Sequence, residues 1–185
     1  MAKKAIDDKT VRWMLNSKPT AIIAATKNEK LRIATISWYT PICQHPLMVA
    51  LSLHEKSFTL EAISGVGAVF SLNLFGKKYI HMIRFAGAVS GRNFDKQKHA
   101  NIRHVVEGGV PLLPDAFLSV PLQVTSITKF DQNGFALIVA SSFGQAIAEE
   151  NSHIDGKLTL SNDGWVPVYH IGEEEYVSPV ESFGQ

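Results

Sequence analysis

The sequence predicts a mainly β fold, a β-barrel with a few helices. Three observations carry that expectation: several short apolar runs rich in β-branched residues, polar or proline-bearing turns between them, and few stretches with helical spacing. A doubly wound parallel sheet would need strands alternating regularly with long helices, and that alternation is missing. At 185 residues the chain has the size of one ordinary domain and enough length to bury a substantial core, so a single domain over residues 1–185 is expected.

The elements follow in order. Over residues 8–15, Val11, Met14 and Leu15 share one helical face behind an acidic first turn, and Pro19 blocks continuation. Residues 20–26, 33–38 and 47–53 read as strands, joined by Thr26-Lys27-Asn28-Glu29 and by a turn over residues 41–46. Residues 57–63 predict a short helix with Ser57 as N-cap, ended by Gly65 and Gly67. A buried strand is expected over 68–74. Residues 77–85 then interleave Ile80, Ile83 and Phe85 with Lys77, Lys78, His81 and Arg84, the pattern of an amphipathic helix. A second helix, rich in Lys, Arg and His, is expected over 95–106. Three prolines in residues 110–121 predict a loop leading into a strand over 122–130. Asp131-Gln132-Asn133-Gly134 is a hairpin signal, residues 135–142 the returning strand, and 166–171 one further short strand.

Hydrophobic residues at 45% and charged residues at 19% exclude disorder and fibrous repeats. Lys and Arg number 18 against 17 Asp and Glu, which lacks the positive field of a general nucleic-acid binder. The balance hides a division: residues 76–103 hold seven Lys/Arg and one Asp, a charge of +6, and residues 131–185 hold one Lys and nine Asp/Glu, a charge of −8. Cys43 is the only cysteine, so an internal disulfide and a multi-thiolate zinc site are excluded, and a reducing cytoplasm is the expected location. Asp7, Asp8 and Lys9 interrupt any secretory signal, and no run approaches the roughly 20 apolar residues that span a bilayer, so no membrane association is expected.

Phosphate-binding P-loop, dinucleotide fingerprint, nucleophile elbow and helical zinc motif are all missing from the sequence. The seven histidines show no metal-ligand spacing, and nothing beside Cys43 in the sequence marks it as a nucleophile. No metal site is expected.

Two stretches carry more chemistry. The run from Ala34 to Pro41 ends a strand with hydroxyls and two aromatics, a composition suited to stacking on and hydrogen bonding to a flat heterocycle, or to an ordinary alternating strand. In Ser52-Leu53-His54-Glu55-Lys56-Ser57-Phe58-Thr59, amides, two hydroxyls and Lys56 at a helix start can hold a phosphate or simply cap the helix.

Taken in sequence, these segments resemble the flavin reductase-like, FMN-binding split-barrel family, which includes flavoredoxin-type proteins. The family runs from a Ser/Thr-Trp-x-x-Pro strand end through a proline-bounded turn into an apolar strand. The counterparts are Thr35-Ile36-Ser37-Trp38-Tyr39-Thr40-Pro41, Pro46 and residues 47–52, followed by Lys56, Ser57 and Thr59. Val69-Phe70-Ser71-Leu72-Asn73-Leu74 is similar to the family's apolar strand ending in Asn, and Ser90-Gly91-Arg92-Asn93-Phe94-Asp95-Lys96 to its Ser-Gly-Arg-x-x-Asp-Lys passage. The resemblance spans residues 12–176.

The resemblance implies a Greek-key-like split barrel that dimerises and binds FMN, with FAD as the alternative, near the subunit interface. Thr35, Ile36, Ser37 and Trp38 would line the isoalloxazine, with Thr40 close by. Ser52, Lys56, Ser57 and Thr59 would hold the ribityl phosphate. Asn73 and the passage containing Ser90, Gly91, Arg92 and Lys96 would complete the pocket, and Tyr169 and Tyr176 lie where the terminal region closes it. NADH or NADPH would be the electron donor of a flavin reductase, hydride passing from nicotinamide to flavin N5. The alternatives are an FMN-binding electron carrier of flavoredoxin type, serving a redox partner protein, and a small β-barrel interaction domain that has lost its cofactor. Two departures stand out. Arg32 occupies a position where many relatives have Asn. The late hairpin reads Phe135-Ala136-Leu137-Ile138-Val139-Ala140 where a His-x-x-Phe/Ile-x-Gly-Glu-Val pattern is frequent.

Overall fold

Strand β1 (Ala21–Lys27) begins with five buried residues in a row, because apolar layers cover both of its faces. The computed structural model describes residues 18–130, 134–148, 153–154, 157–158, 166–172 and 175–178. β1 pairs antiparallel with β2 (Lys30–Ile36) across Asn28 and Glu29, both at positive φ (52° and 61°), the conformation of a two-residue type I′ hairpin. β3 (Tyr39–Cys43), β4 (Met48–His54) and β5 (Val69–Leu74) follow. β6 (Val105–Glu107) and β7 (Val110–Leu112) form a small hairpin of their own. β8 (Leu118–Phe130) and β9 (Phe135–Ser142) complete the main sheet, whose order is β2-β1-β5-β8-β9-β4-β3, with the short β10 (Ile147–Ala148) added to the start of β8. All of its pairings are antiparallel.

The sheet curls into a barrel. β1 and β4 stand far apart in the strand order, yet Ile23 and Leu51 share one core with Phe70, Leu122 and Ile138, which a flat sheet would not allow. The Tyr39 hydroxyl donates to the Pro19 carbonyl at 2.6 Å, linking edge strand β3 to the chain just before β1. A register shift between Val124 and Ser126 bends β8, whose first half pairs with β5 and whose second half pairs with β9. On the outer face of β1, Ile22 and Ala24 pack with Ile83 and Ala86 of helix α1 (Ile80–Ala88), and with Phe75, Leu113 and Val168. That second layer positions α1 over β2. Among the described residues no helix is long and apolar enough to cross a membrane.

The mainly β barrel with few helices is the architecture expected, and β1, β5, β9 and α1 fall close to their expected bounds. Other elements differ. Residues 41–43 belong to β3, and the turn narrows to residues 44–47. The helix expected over 57–63 is only a 3-10 turn at Leu60–Ala62, with Thr59 and not Ser57 at its N-cap and no side-chain cap. An α-helix there needs the Ala62 amide to bond the Phe58 carbonyl; Arg32 takes that carbonyl at 2.8 Å, and the amide bonds Thr59 instead.

The helix expected over 95–106 reduces to α2 (Lys96–His99), capped by the Asp95 side chain. Gly108 and Gly109, both at positive φ, turn Val105 and Val106 into the β6–β7 hairpin, so residues 110–112 are strand and not loop. The strand expected from 122 starts at Leu118. Beyond the main sheet, β11 (His153–Ile154) pairs with β12 (Lys157–Leu158), and β13 (Tyr169–Gly172) with β14 (Glu175–Val177). The helix expected over 8–15 and residues 131–133 of the hairpin signal lie outside the described residues, but β8 and β9 meet across that turn at Phe130 and Phe135.

Candidate functional site

A cavity of about 820 Å³ opens where the exit of β2, the end of β4 and the C-terminal half of α1 converge. Its volume lies in the range of small-molecule sites. The Ser52 amide bonds the Trp38 carbonyl at 2.9 Å, and so joins the two stretches that the sequence singled out. Of the expected residues, Thr35, Ile36, Ser37 and Trp38 line it from β2 and its exit, and Ser52 from β4. Lys56, Ser57 and Thr59 line it from the turn after β4, and Ser90, Gly91 and Lys96 from the segment after α1.

Thr40, Asn73 and Arg92 do not line it. Thr40 points its hydroxyl at the neighbouring Pro41 carbonyl. Asn73 is completely buried beneath the second layer, where Nδ2 donates to the Ile22 carbonyl (3.0 Å) and Ser71 Oγ (2.8 Å), and Oδ1 accepts from Ser119 Oγ (2.7 Å). Its polar atoms are used in tying β5 to β1 and β8. Arg92 turns outward to an ion pair with Glu61.

The cavity has one sign of charge. Lys56, Arg84 and Lys96 are the charged residues of its lining among those described, and that lining includes no Asp or Glu. Such a site attracts an anion. Lys96 is buried; its Nζ donates to the carbonyls of Ala86 (2.6 Å) and Ile33 (3.2 Å), bridging α1 to β2. Burial without a counter-charge lowers its pKa from 10.5 to about 8.

The hydroxyls divide into two kinds. Thr35 Oγ1 donates to the Ile83 carbonyl at 2.6 Å, and a Cβ on Gly87 would stand 3.3 Å from Thr35 Cβ, so this threonine seats the helix. The hydroxyls of Ser37, Ser52, Ser57 and Thr59, and the Lys56 ammonium, engage no protein group among the described residues. Polar groups in a concavity without partners are available to a ligand with several acceptors.

Aromatic surface completes the walls. The Trp38 and Phe135 ring centroids lie 5.3 Å apart, and His54 meets Phe135 edge-on at 5.1 Å. The Lys56 amide donates to His54 Nδ1 at 3.1 Å, which places the neutral ring's proton on Nε2. The C-terminal segment docks through the Thr20 amide on the Val168 carbonyl (2.6 Å) and the Lys77 amide on the Val166 carbonyl (3.0 Å). It brings His170 and Tyr176 to the cavity, their ring centroids 5.0 Å apart, and Tyr169 lines no part of it.

Sequence reasoning did not single out His54, Phe58, Arg84, Gly87 or His170 as site residues. Arg84 carried a signal in the basic run, and His54 and Phe58 lay inside the phosphate-type stretch. His170 had none, because docking of a distant segment alone places it. Among the described residues no group of three or more His, Cys, Asp or Glu side chains is placed to hold a metal ion.

A model of the flavin reductase like domain matches residues 14–154. No curated protein matches the chain by sequence. Solved structures similar to it include flavoredoxin from Methanosarcina acetivorans, with TM-score 0.84, 19% identity, and coverage of 100% of this chain and 95% of that one. FMN-binding protein from Thermus thermophilus with bound 1-cyclohex-2-enone superimposes with TM-score 0.78 at 20% identity, over 100% of this chain and 98% of that one. A split-barrel-domain protein from Shewanella frigidimarina gives TM-score 0.79 at 14% identity, over 98% and 93% of the two chains.

Proposed function

The chain belongs to the flavin reductase like domain family, and on that premise we propose that it binds FMN in the cavity between β2, β4 and α1 and acts as an NAD(P)H-dependent flavin reductase. The observation that carries the proposal is the cavity's combination of two lysines, Lys56 and the buried Lys96, with unengaged hydroxyls and aromatic walls. FMN needs each of these. Its phosphate carries about −1.5 to −2 charges near neutral pH and suits Lys56, Ser57 and Thr59. Its flat ring suits the aromatic wall at Trp38, and its ring carbonyls and nitrogens suit Ser37, the β2 exit and the segment at Ser90 and Gly91. Lys96, held by two carbonyls, keeps a positive charge in the cavity lining at neutral pH.

Bound flavin supplies the hydride and electron transfer, so the chain needs no acid–base pair of its own. Its residues bind, orient and shield. In this reading residues 1–185 form one domain that works as a homodimer in the cytoplasm and delivers electrons to a redox partner or a small acceptor.

Titration of the purified protein with FMN, FAD and riboflavin, followed by the visible spectrum, tests the binding; NADH and NADPH oxidation tests the activity. Flavin binding with turnover of either nicotinamide is the expected result. Failure to bind any flavin refutes the proposal, and bound FMN reduced by a protein donor but by neither nicotinamide assigns the chain to electron carriers.

A further inference from the structure

Two guanidinium groups lie against the Phe58 ring. Arg32 Cζ lies 3.7 Å from the centroid of its ring and Arg92 Cζ 5.2 Å. The two guanidinium groups share one carboxylate: Arg32 Nη1 donates to Glu61 Oε2 at 3.0 Å and Arg92 Nη2 donates to Glu61 Oε1. Arg32 Nη1 also donates to the Phe58 carbonyl. A Cβ on Gly91 would stand 3.0 Å from Phe58 Cδ1, so the ring fits against that loop only because residue 91 has no side chain. Three segments therefore meet at one side chain: β2 through Arg32, the turn after β4 through Phe58 and Glu61, and the loop after α1 through Gly91 and Arg92. The Arg32 hydrogen bond, joined by that of Arg92, holds the Glu61 carboxyl below the usual carboxylate range.

We infer that Glu61, gripped by Arg32 and Arg92, is a positioning residue for the ligand site: it locks Phe58, and with it the turn carrying Lys56, Ser57 and Thr59, against the loop carrying Ser90 and Gly91. Glu61 itself lines no part of the cavity, and it acts through Phe58, which does. The carboxylate has a second effect. It offsets one of the two guanidinium charges just outside the cavity, which weakens their competition with Lys56 and Lys96 for an anion. The identity of the ligand rests on the proposed function; the coupling of the two segments does not.

Amide hydrogen exchange on the ligand-free protein and titration with FMN and riboflavin test this together. In Glu61→Gln, which keeps the shape and removes the charge, exchange over residues 56–61 and 90–92 is expected to rise about tenfold, with that of β5 unchanged. The FMN Kd is expected to rise about tenfold and riboflavin's by less, because the phosphate-facing groups sit on the loosened turn. Arg92→Gln, at a half-exposed position, is expected to reproduce both effects more weakly, and Glu61→Asp to recover part of them. Unchanged exchange in both segments, or an equal rise across the whole chain, overturns the inference. If the wild-type protein binds neither flavin the proposed function falls, and the exchange pattern alone decides the clamp by the same two outcomes.

Discussion

Lys96→Met tests whether a buried ammonium without a counter-charge stands in the cavity lining. Folding moves the Lys96 pKa from 10.5 to about 8, through burial. Between those values the unfolded chain binds more protons than the folded one, so stability rises with pH across the interval. The folded state is penalised most at low pH, where both states hold the charged form and burying it costs about 3 kcal/mol relative to fully deprotonated conditions. From pH 7 to pH 9.5 this one group should return about 2 kcal/mol. Tyr39 works in the opposite direction at higher pH: burial, with Tyr169 adding, raises its pKa, so the unfolded chain loses that proton first and stability falls above about pH 10. The informative window therefore ends below pH 10.

Urea unfolding of wild type and Lys96→Met at half-unit steps from pH 7 to 9.5 measures the difference. The wild-type curve should climb by about 2 kcal/mol more than the variant's. Saturating inorganic phosphate or FMN should flatten the wild-type slope, since an anion in the cavity favours the charged lysine. Parallel curves for the two proteins would refute the reasoning, because they would mean that Lys96 titrates alike in both states.

Asn73→Ala should destabilise the protein by roughly 3 kcal/mol, as it leaves the buried Ser119 hydroxyl without its acceptor and takes a donor from the Ile22 carbonyl and from Ser71 Oγ, yet leave flavin affinity unchanged. Thermal unfolding with a parallel FMN titration checks both halves. Gly87→Ala should cost about 1–3 kcal/mol despite alanine's better helix propensity, because Thr35, held to Ile83, cannot yield to a Cβ at 3.3 Å; chemical denaturation measures it. Lys56→Ala should weaken FMN about tenfold and riboflavin hardly at all, and the FMN difference should shrink in high salt, as titrations at two ionic strengths will show.

Much of the architecture was legible in the residues. Short apolar runs rich in β-branched residues and the turns at residues 26–29 and 131–134 mark β1, β5, β8 and β9, because a strand buried on one or both faces concentrates such residues whatever its neighbours. The two stretches over residues 34–41 and 52–59 were legible as chemistry for the same local reason: hydroxyls, aromatics and a lysine crowded at strand ends. Where local propensity met a distant competitor, the residues misled. Residues 57–63 look like a capped helix until Arg32, from another strand, takes the Phe58 carbonyl. Val105 and Val106 follow a helical-looking run, but two glycines at positive φ turn them back as a hairpin.

The site divides along the same line. Composition and order alone determined that the chain is mainly β, which segments carry ligand-type groups, and that a basic middle opposes an acidic end. Only the tertiary structure decided which groups share a cavity, because that depends on contacts far apart in sequence. It placed Thr35's hydroxyl under a helix and Asn73 in the interior, took Arg92 to Glu61, and carried His170 to the cavity from the far end of the chain. A hydroxyl, an amide or a guanidinium has the same chemistry in any sequence; whether it serves a ligand or the fold is settled by the partner that packing puts beside it.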